Sequence, residues 1–169
     1  MNVIAAVDKN MGIGYQNQLL VRIPNDQKWF QQTTMGKVIV LGRKTLDTFP
    51  NKMPLKGRIN IILTTDRSLK FKDAIMVYSM EELLAELKKY NSEDIYVVGG
   101  SSVYEALLPY CDTAYITKID YSYVADRYFP DIEKSGEWEI ESESEEQTYF
   151  DLEYTFVKYR KISEKTAKE

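Results

Sequence analysis

The sequence predicts an α/β fold: a single three-layer domain with a central, mostly parallel eight-stranded mixed sheet, antiparallel C-terminal strands and flanking helices. Three observations predict it. Six short apolar runs, at residues 3–7, 38–41, 59–63, 75–78, 95–98 and 114–119, are near-continuous Val and Ile, as strands buried on both faces require. Helical patterns at 25–34, 43–48, 81–90 and 101–108 fall between them, and alternation of strand and helix leads to parallel pairing through right-handed crossovers. Beyond residue 136 the character changes. Residues 137–143 alternate Glu with Trp138, Ile140 and Ser142, and 152–162 form a second extended run, so an antiparallel pair at the sheet edge is expected.

A length of 169 residues with 44% apolar content suits one core. Residues 1–162 are assigned to that domain and 163–169 to a flexible C-terminal tail. No apolar run approaches the roughly 18 residues of a membrane span, and the start of the chain is too short and uncharged for a signal peptide, so the expectation is a cytoplasmic protein with no membrane association. Cys111 is the only cysteine, in an apolar stretch that suits a buried thiol. There is no histidine, which removes Ser/His/Asp and Cys/His catalysis and His-containing zinc sites. The net charge of −4 is uneven: seven Glu and one Lys between 133 and 147 carry −6, leaving +2 on the rest. The body of the protein does not repel an anion, yet no basic stripe suggests nucleic acid. For the Glu run itself, a solvated edge strand that resists aggregation is the expected reading.

From the N-terminus, Gly12, Ile13 and Gly14 superficially suggest a dinucleotide fingerprint. The segment that follows has no helical period and ends in Pro24, so a long mobile loop over a site is expected instead. Pro24 and Asn25 start a helix in which positions 26, 29, 30 and 33 share a face. Asp26 therefore lies on the side of Trp29 and Phe30, where desolvation raises a carboxyl pKa and suits it to accept a pair of N–H groups from a heterocycle. The alternative for an acid in a first turn is a partner for the helix dipole.

The run 38–41 leads into Gly42, Arg43, Lys44 and Thr45, cations and a hydroxyl suited to a phosphomonoester or to a solvated basic turn. Arg58, after Gly57, begins the next strand as a candidate for a substrate carboxylate or as a plain surface residue. The run 95–98 leads into Gly99, Gly100, Ser101 and Ser102. This reads as a phosphate cradle at a helix start or as a tight turn needing positive φ. Thr117, inside 114–119, needs a hydrogen-bond partner if buried.

These residues, taken in order, resemble the dihydrofolate reductase family along nearly the whole chain. The match comprises Ile4-Ala5-Ala6, Ile13-Gly14, Pro24 through Phe30, Gly42-Arg43-Lys44-Thr45, Gly57-Arg58 with Asn60-Ile61-Ile62-Leu63, Val98-Gly99-Gly100 with Val103-Tyr104, Thr117-Lys118-Ile119-Asp120, and Asp126 with Phe129-Pro130. The resemblance implies NADPH-dependent reduction of 7,8-dihydrofolate, with hydride delivered to C6 and N5 protonated through water. It implies a monomer that takes a small-molecule substrate and can bind antifolate inhibitors.

By the same resemblance Asp26 is the catalytic carboxylate, holding the pterin 2-amino group and N3, with Thr117 nearby. Ile4, Ala5, Phe30, Phe49 and Leu55 line the substrate, and Arg58 pairs with its glutamate carboxylate. Ala6, Ile13, Gly14 and Leu19 lie near the nicotinamide. Gly42, Arg43, Lys44, Thr45, Thr64, Thr65 and the turn Val98, Gly99, Gly100, Ser101, Ser102, Val103 and Tyr104 hold the rest of NADPH, with no metal. The family also implies a cis bond between Gly99 and Gly100. The chain departs from the usual bacterial pattern at Leu19, Leu20 and Val21, where Leu-Pro-Trp is usual, at Gln27, and at Val124-Ala125-Asp126. A pyrimidinone reductase of riboflavin biosynthesis and a catalytically inactive nucleotide-binding module are the competing readings.

Overall fold

Each Val/Ile run becomes a strand in the computed structural model, which describes residues 1–162. The expected tail at 163–169 lies outside the described residues. In chain order the elements are β1 (Asn2–Val7), β2 (Gly12–Tyr15), β3 (Gln18–Leu19), α1 (Pro24–Thr34), β4 (Val38–Gly42), α2 (Arg43–Leu46), β5 (Ile59–Leu63), β6 (Ala74–Val77), α3 (Met80–Leu87), β7 (Ile95–Gly99), α4 (Ser101–Leu107), β8 (Thr113–Ile119), β9 (Arg127–Tyr128), β10 (Trp138–Glu143), β11 (Gln147–Tyr149) and β12 (Leu152–Lys161).

Eight strands form the main sheet in the order β10-β12-β8-β1-β7-β4-β5-β6, and β11 adds a short pairing with β12 outside that path. From β8 to β6 all pairings are parallel. β12 runs antiparallel to both β8 and β10. The C-terminal pair lies at the sheet edge as expected, with β10 outermost and β12 joining it to β8.

Alternation along the strands sorts the core into two faces. Val3, Ala5 and Val7 of β1 join Val40, Val97, Leu83, Val103 and Leu107 on the side of α3 and α4. Ile4 joins Ile39, Leu41, Ile62 and Val98 on the other side, with Trp29 and Phe30 of α1 packed on top. Each fully buried aliphatic side chain contributes about 1.5–3 kcal/mol, so the paired faces are what hold the three layers together.

The helices are set by local signals. Ser79 caps α3 by accepting from Glu82 N at 3.1 Å, and Glu82 accepts in turn from Tyr78 N at 2.7 Å. The expected helix at 43–48 ends after one turn, with Pro50 close behind. That at 101–108 ends at Leu107, where Pro109 diverts the chain into a 3₁₀ turn.

One expectation is corrected. The segment from Tyr15 to Pro24, expected as a loop, is paired in part: Tyr15 of β2 pairs with Gln18 of β3, and β2 also pairs with β9, in a separate three-stranded sheet. β10 is a solvated edge strand as expected, exposed at every position after Trp138, with a register shift between Ile140 and Ser142. The Glu run meets cations on β12 instead of open solvent alone, with Glu141 bridging Lys158 and Arg160 at 2.9 Å each.

Candidate active site

The parallel strands end together, and a cleft of about 770 Å³ lies beyond the C-terminal ends of β1, β4, β5, β6 and β7. Such crevices are where open α/β sheets take ligands. Its walls include Ala6, Ile13, Gly14 and Leu19 at one end. Gly42, Arg43, Lys44, Thr45, Thr64, Thr65, Val98, Gly99, Gly100, Ser101, Ser102, Val103 and Tyr104 line the remainder. Every residue expected to meet NADPH thus lines one cavity. Tyr15, Asn17, Gln18, Thr48, Leu63, Tyr78, Ser79, Met80 and Arg127 line it too and were not anticipated. Ser79 and Tyr78 follow β6 at the same level as Gly42 and Gly99, so the strand-end logic that found those glycines could have found them. No sequence signal points to Arg127, which arrives through the pairing of β9 with β2.

Two glycines keep this cleft open. Gly99 has φ +126°, where L side chains are rarely found, and a Cβ there would lie 3.1 Å from Thr45 Oγ1 and 3.4 Å from the Tyr104 ring. At Gly42 a Cβ would lie 3.2 Å from Val103 Cγ2. The Gly99–Gly100 peptide is cis. Arg43 is held by Asp47 of its own turn at 2.5 Å. Asp66 is close by, its carboxyl kept below the ordinary range by hydrogen bonds from Ser68 with a smaller contribution from Arg43.

Asp26 sits beside the Ala6 end of this arrangement. Thr117 lies opposite Ala6 in the β1–β8 pairing, and its hydroxyl donates to Asp26 Oδ1 at 2.6 Å. Burial pushes the Asp26 carboxyl above its ordinary value, and the Thr117 hydrogen bond opposes that rise. Three positions on from Asp26, α1 packs its aromatic side against the sheet. Trp29 stacks on Phe156 with centroids 5.0 Å apart and meets Tyr115 edge-on at 5.9 Å. Tyr104 closes the site from α4, its hydroxyl donating to Ile4 O at 2.7 Å. The Asp26 charge helps burial keep that phenol neutral.

Phe30, Phe49 and Leu55 pack with Ile4 in one cluster on the α1 face. Leu55 is placed by Asn60, whose side chain accepts from Leu55 N at 3.0 Å and donates to Leu55 O at 2.8 Å. Arg58 is tied to the far end of α1 by Thr34 Oγ1 at 3.1 Å and Gln31 O at 3.0 Å, with Lys56 O at 2.7 Å completing the clamp. Desolvation lowers its pKa from the ordinary arginine value. Ala5 departs from this group. Its side chain belongs to the opposite face, so only its backbone is available on the Asp26 side.

Asp8, not singled out by its residue type, fixes the turn between β1 and β2. It is buried, accepts from Asn10 N and Gly12 N at 2.8 Å each through Oδ1, and from Tyr123 N at 2.9 Å through Oδ2. It thereby joins the β1–β2 turn to the segment leading into β9. Cys111 is buried, its thiol pushed up to about 12 by desolvation, and is remote from this chemistry. Among the described residues no group of three or more His, Cys, Asp or Glu side chains could hold a metal ion, and no helix is long and apolar enough to cross a membrane.

The comparisons with known proteins agree on one family. The family model described as dihydrofolate reductase matches residues 1–161. The dihydrofolate reductase of Bacillus subtilis (strain 168) is 34% identical over 164 residues, covering 95% of this chain and 94% of that one. That of Enterococcus faecium is 38% identical over 161 residues, covering 94% and 95%. Among solved structures, dihydrofolate reductase from Enterococcus faecalis complexed with NADP(H) and RAB-propyl superposes with a TM-score of 0.84 at 30% identity, over 96% of each chain.

Proposed function

This chain belongs to the dihydrofolate reductase family, and from that premise we propose how its own residues carry the NADPH-dependent reduction of dihydrofolate to tetrahydrofolate. The observation that carries the assignment is the Asp26–Thr117 pair on an aromatic floor at the Ala6 end of a 770 Å³ cleft with Arg43 and Lys44 farther along it. A cleft of that size, walled by glycines, hydroxyls and cations, fits an extended, multiply charged dinucleotide. NADPH supplies the hydride when bound.

The chain's residues supply position and proton control. Arg43, Lys44 and Thr45 take the 2′-phosphate end, where side-chain cations distinguish a phosphomonoester from a hydroxyl. Thr64, Thr65 and the turn from Gly99 to Tyr104 take the remaining adenosine and phosphate groups. Ala6, Ile13, Gly14 and Leu19 hold the nicotinamide end. The half-buried carboxylate of Asp26 accepts the N3–H and 2-amino N–H of the pterin, a paired contact that fixes ring orientation. Phe30, Phe49 and Leu55 enclose the rings, and Arg58, prealigned by Thr34 and Gln31, takes the glutamate carboxylate. Holding C6 of the pterin against the hydride donor accounts for much of the rate, since fixed geometry replaces a bimolecular encounter. N5 receives its proton from water, with Asp26 governing the local proton balance. The same reading makes the enzyme a cytoplasmic monomer, in keeping with a site built from one chain and a lone buried thiol.

The test is direct. Purified protein mixed with NADPH and dihydrofolate should oxidise the cofactor in proportion to enzyme, and cofactor binding without turnover would move the chain to the class of nucleotide-binding modules.

A further inference from the structure

The cleft at the strand ends is lined by three cations, Arg43, Lys44 and Arg127, and by no carboxylate. NADPH carries its negative charge in two places: the 2′-phosphate on the adenosine, and the pyrophosphate that joins the two nucleosides. Arg43 and Lys44 stand side by side on α2 and are accounted for by the first. Arg127 reaches the cleft from another part of the fold, and the reading given above leaves it without a role.

The neighbours of β9 fix where along the cleft Arg127 stands. It is paired with Gly14 of β2, and Asp126 N donates to Gly14 O at 3.0 Å. A Cβ at Gly14 would lie 3.8 Å from Arg127 Cβ, so the side chain starts beside the end that takes the nicotinamide. Two residues further on, the ring of Phe129 meets that of Tyr104 edge-on with centroids 4.9 Å apart, and Tyr104 closes the turn that begins at Gly99. β9 is thus stretched between the nicotinamide end and the glycine turn, with Arg127 between the two. In a dinucleotide the group at that place is the pyrophosphate.

The side chain is available for it. Arg127 is exposed, and among the described residues its hydrogen bonding is limited to one donation, from Nη1 to Asp126 O at 3.2 Å. Ion pairs among those residues engage Arg43, Arg67 and Arg160 but not Arg127. A guanidinium keeps its charge at every working pH and presents a planar fork of N–H donors that matches two oxygens of one phosphate. We propose that Arg127 is a cofactor-binding residue that grips the pyrophosphate of NADPH, which makes the small sheet of β2, β3 and β9 part of the dinucleotide site.

The inference rests on the NADPH reading, and one set of titrations separates the two. Calorimetry on ligand-free protein reads binding without turnover. Three ligands are compared: NADPH; 2′-phospho-ADP-ribose, which keeps the pyrophosphate and lacks the nicotinamide; and adenosine 2′-monophosphate, which lacks the pyrophosphate. Arg127→Ala leaves the backbone pairing of β9 in place. It should weaken NADPH and 2′-phospho-ADP-ribose by about tenfold, as loss of a charge-assisted contact on an exposed side chain does, and leave adenosine 2′-monophosphate unchanged. A loss confined to NADPH would overturn the proposal by placing Arg127 at the nicotinamide. An equal loss with all three ligands would overturn it too, since that marks a diffuse electrostatic effect on the whole cleft. Normal binding by wild type with an unaltered Arg127→Ala variant would overturn this proposal alone, whereas a wild type that binds none of the three would remove the NADPH reading along with it.

Discussion

Asp26→Asn should stabilise the ligand-free protein while disabling it, and the size of the effect follows from where the carboxylate sits. Its folded-state pKa is raised above the free value of 3.8 because burial outweighs the Thr117 hydrogen bond. The folded state therefore keeps the proton to higher pH than the unfolded chain. Between the two values the folded state binds more protons, so stability falls as pH rises. Below 3.8 the group contributes nothing, and above its folded pKa the penalty is constant.

Asparagine carries no charge, and its Oδ1 can still accept from Thr117 at the 2.6 Å geometry. Relieving a buried charge at a functional site is worth about 0.5–2 kcal/mol, and about 1 kcal/mol moves the melting temperature of a chain this long by roughly 2–4 °C. Melts followed by circular dichroism should show the variant about 2–4 °C more stable near pH 8, the gap closing towards about pH 4. In the same preparation kcat/KM should fall by about a hundredfold or more. A variant less stable than wild type near neutrality, or a gap that does not change with pH, would refute the argument that burial dominates at this carboxyl.

Two further outcomes test the surroundings. Arg43→Ala should raise KM for NADPH by about tenfold, the worth of one charge-assisted contact on a partly exposed side chain, and leave KM for NADH nearly unchanged; equal loss with both cofactors would exclude a 2′-phosphate role. Asp8→Ala removes the shared acceptor of three backbone N–H groups and should cost about 3 kcal/mol in urea unfolding. A loss below about 0.5 kcal/mol would mean those groups find other partners.

Much of this protein is decided by local sequence. A run of Val and Ile can be buried on both faces in few ways, so β1, β4, β5 and β7 are visible as strings of residues. A glycine at a strand end announces a close backbone approach, which is why Gly42 and Gly99 could be assigned to a ligand cleft before their neighbours were known. Asp26 shares a helical face with Trp29 and Phe30 through spacing alone. Tertiary structure decided what depends on partners distant in the chain. The hydroxyl that engages Asp26 comes from Thr117, 91 residues later. Ile4 and Ala5 fall on opposite sides of one sheet because strand alternation divides them, and only the register with β8 and the seat of α1 say which side holds the site. The small sheet of β2, β3 and β9 was not legible because strands of two to four residues carry no clear period, and the register shift between Ile140 and Ser142 lies in the pairing of two chain segments. The Tyr154 hydroxyl reads in sequence as one tyrosine among thirteen. Tyr154 becomes buried only once β12 pairs with β8 and its ring packs with Val21 and Ile23, since what surrounds a side chain is settled by what folding brings within reach of it.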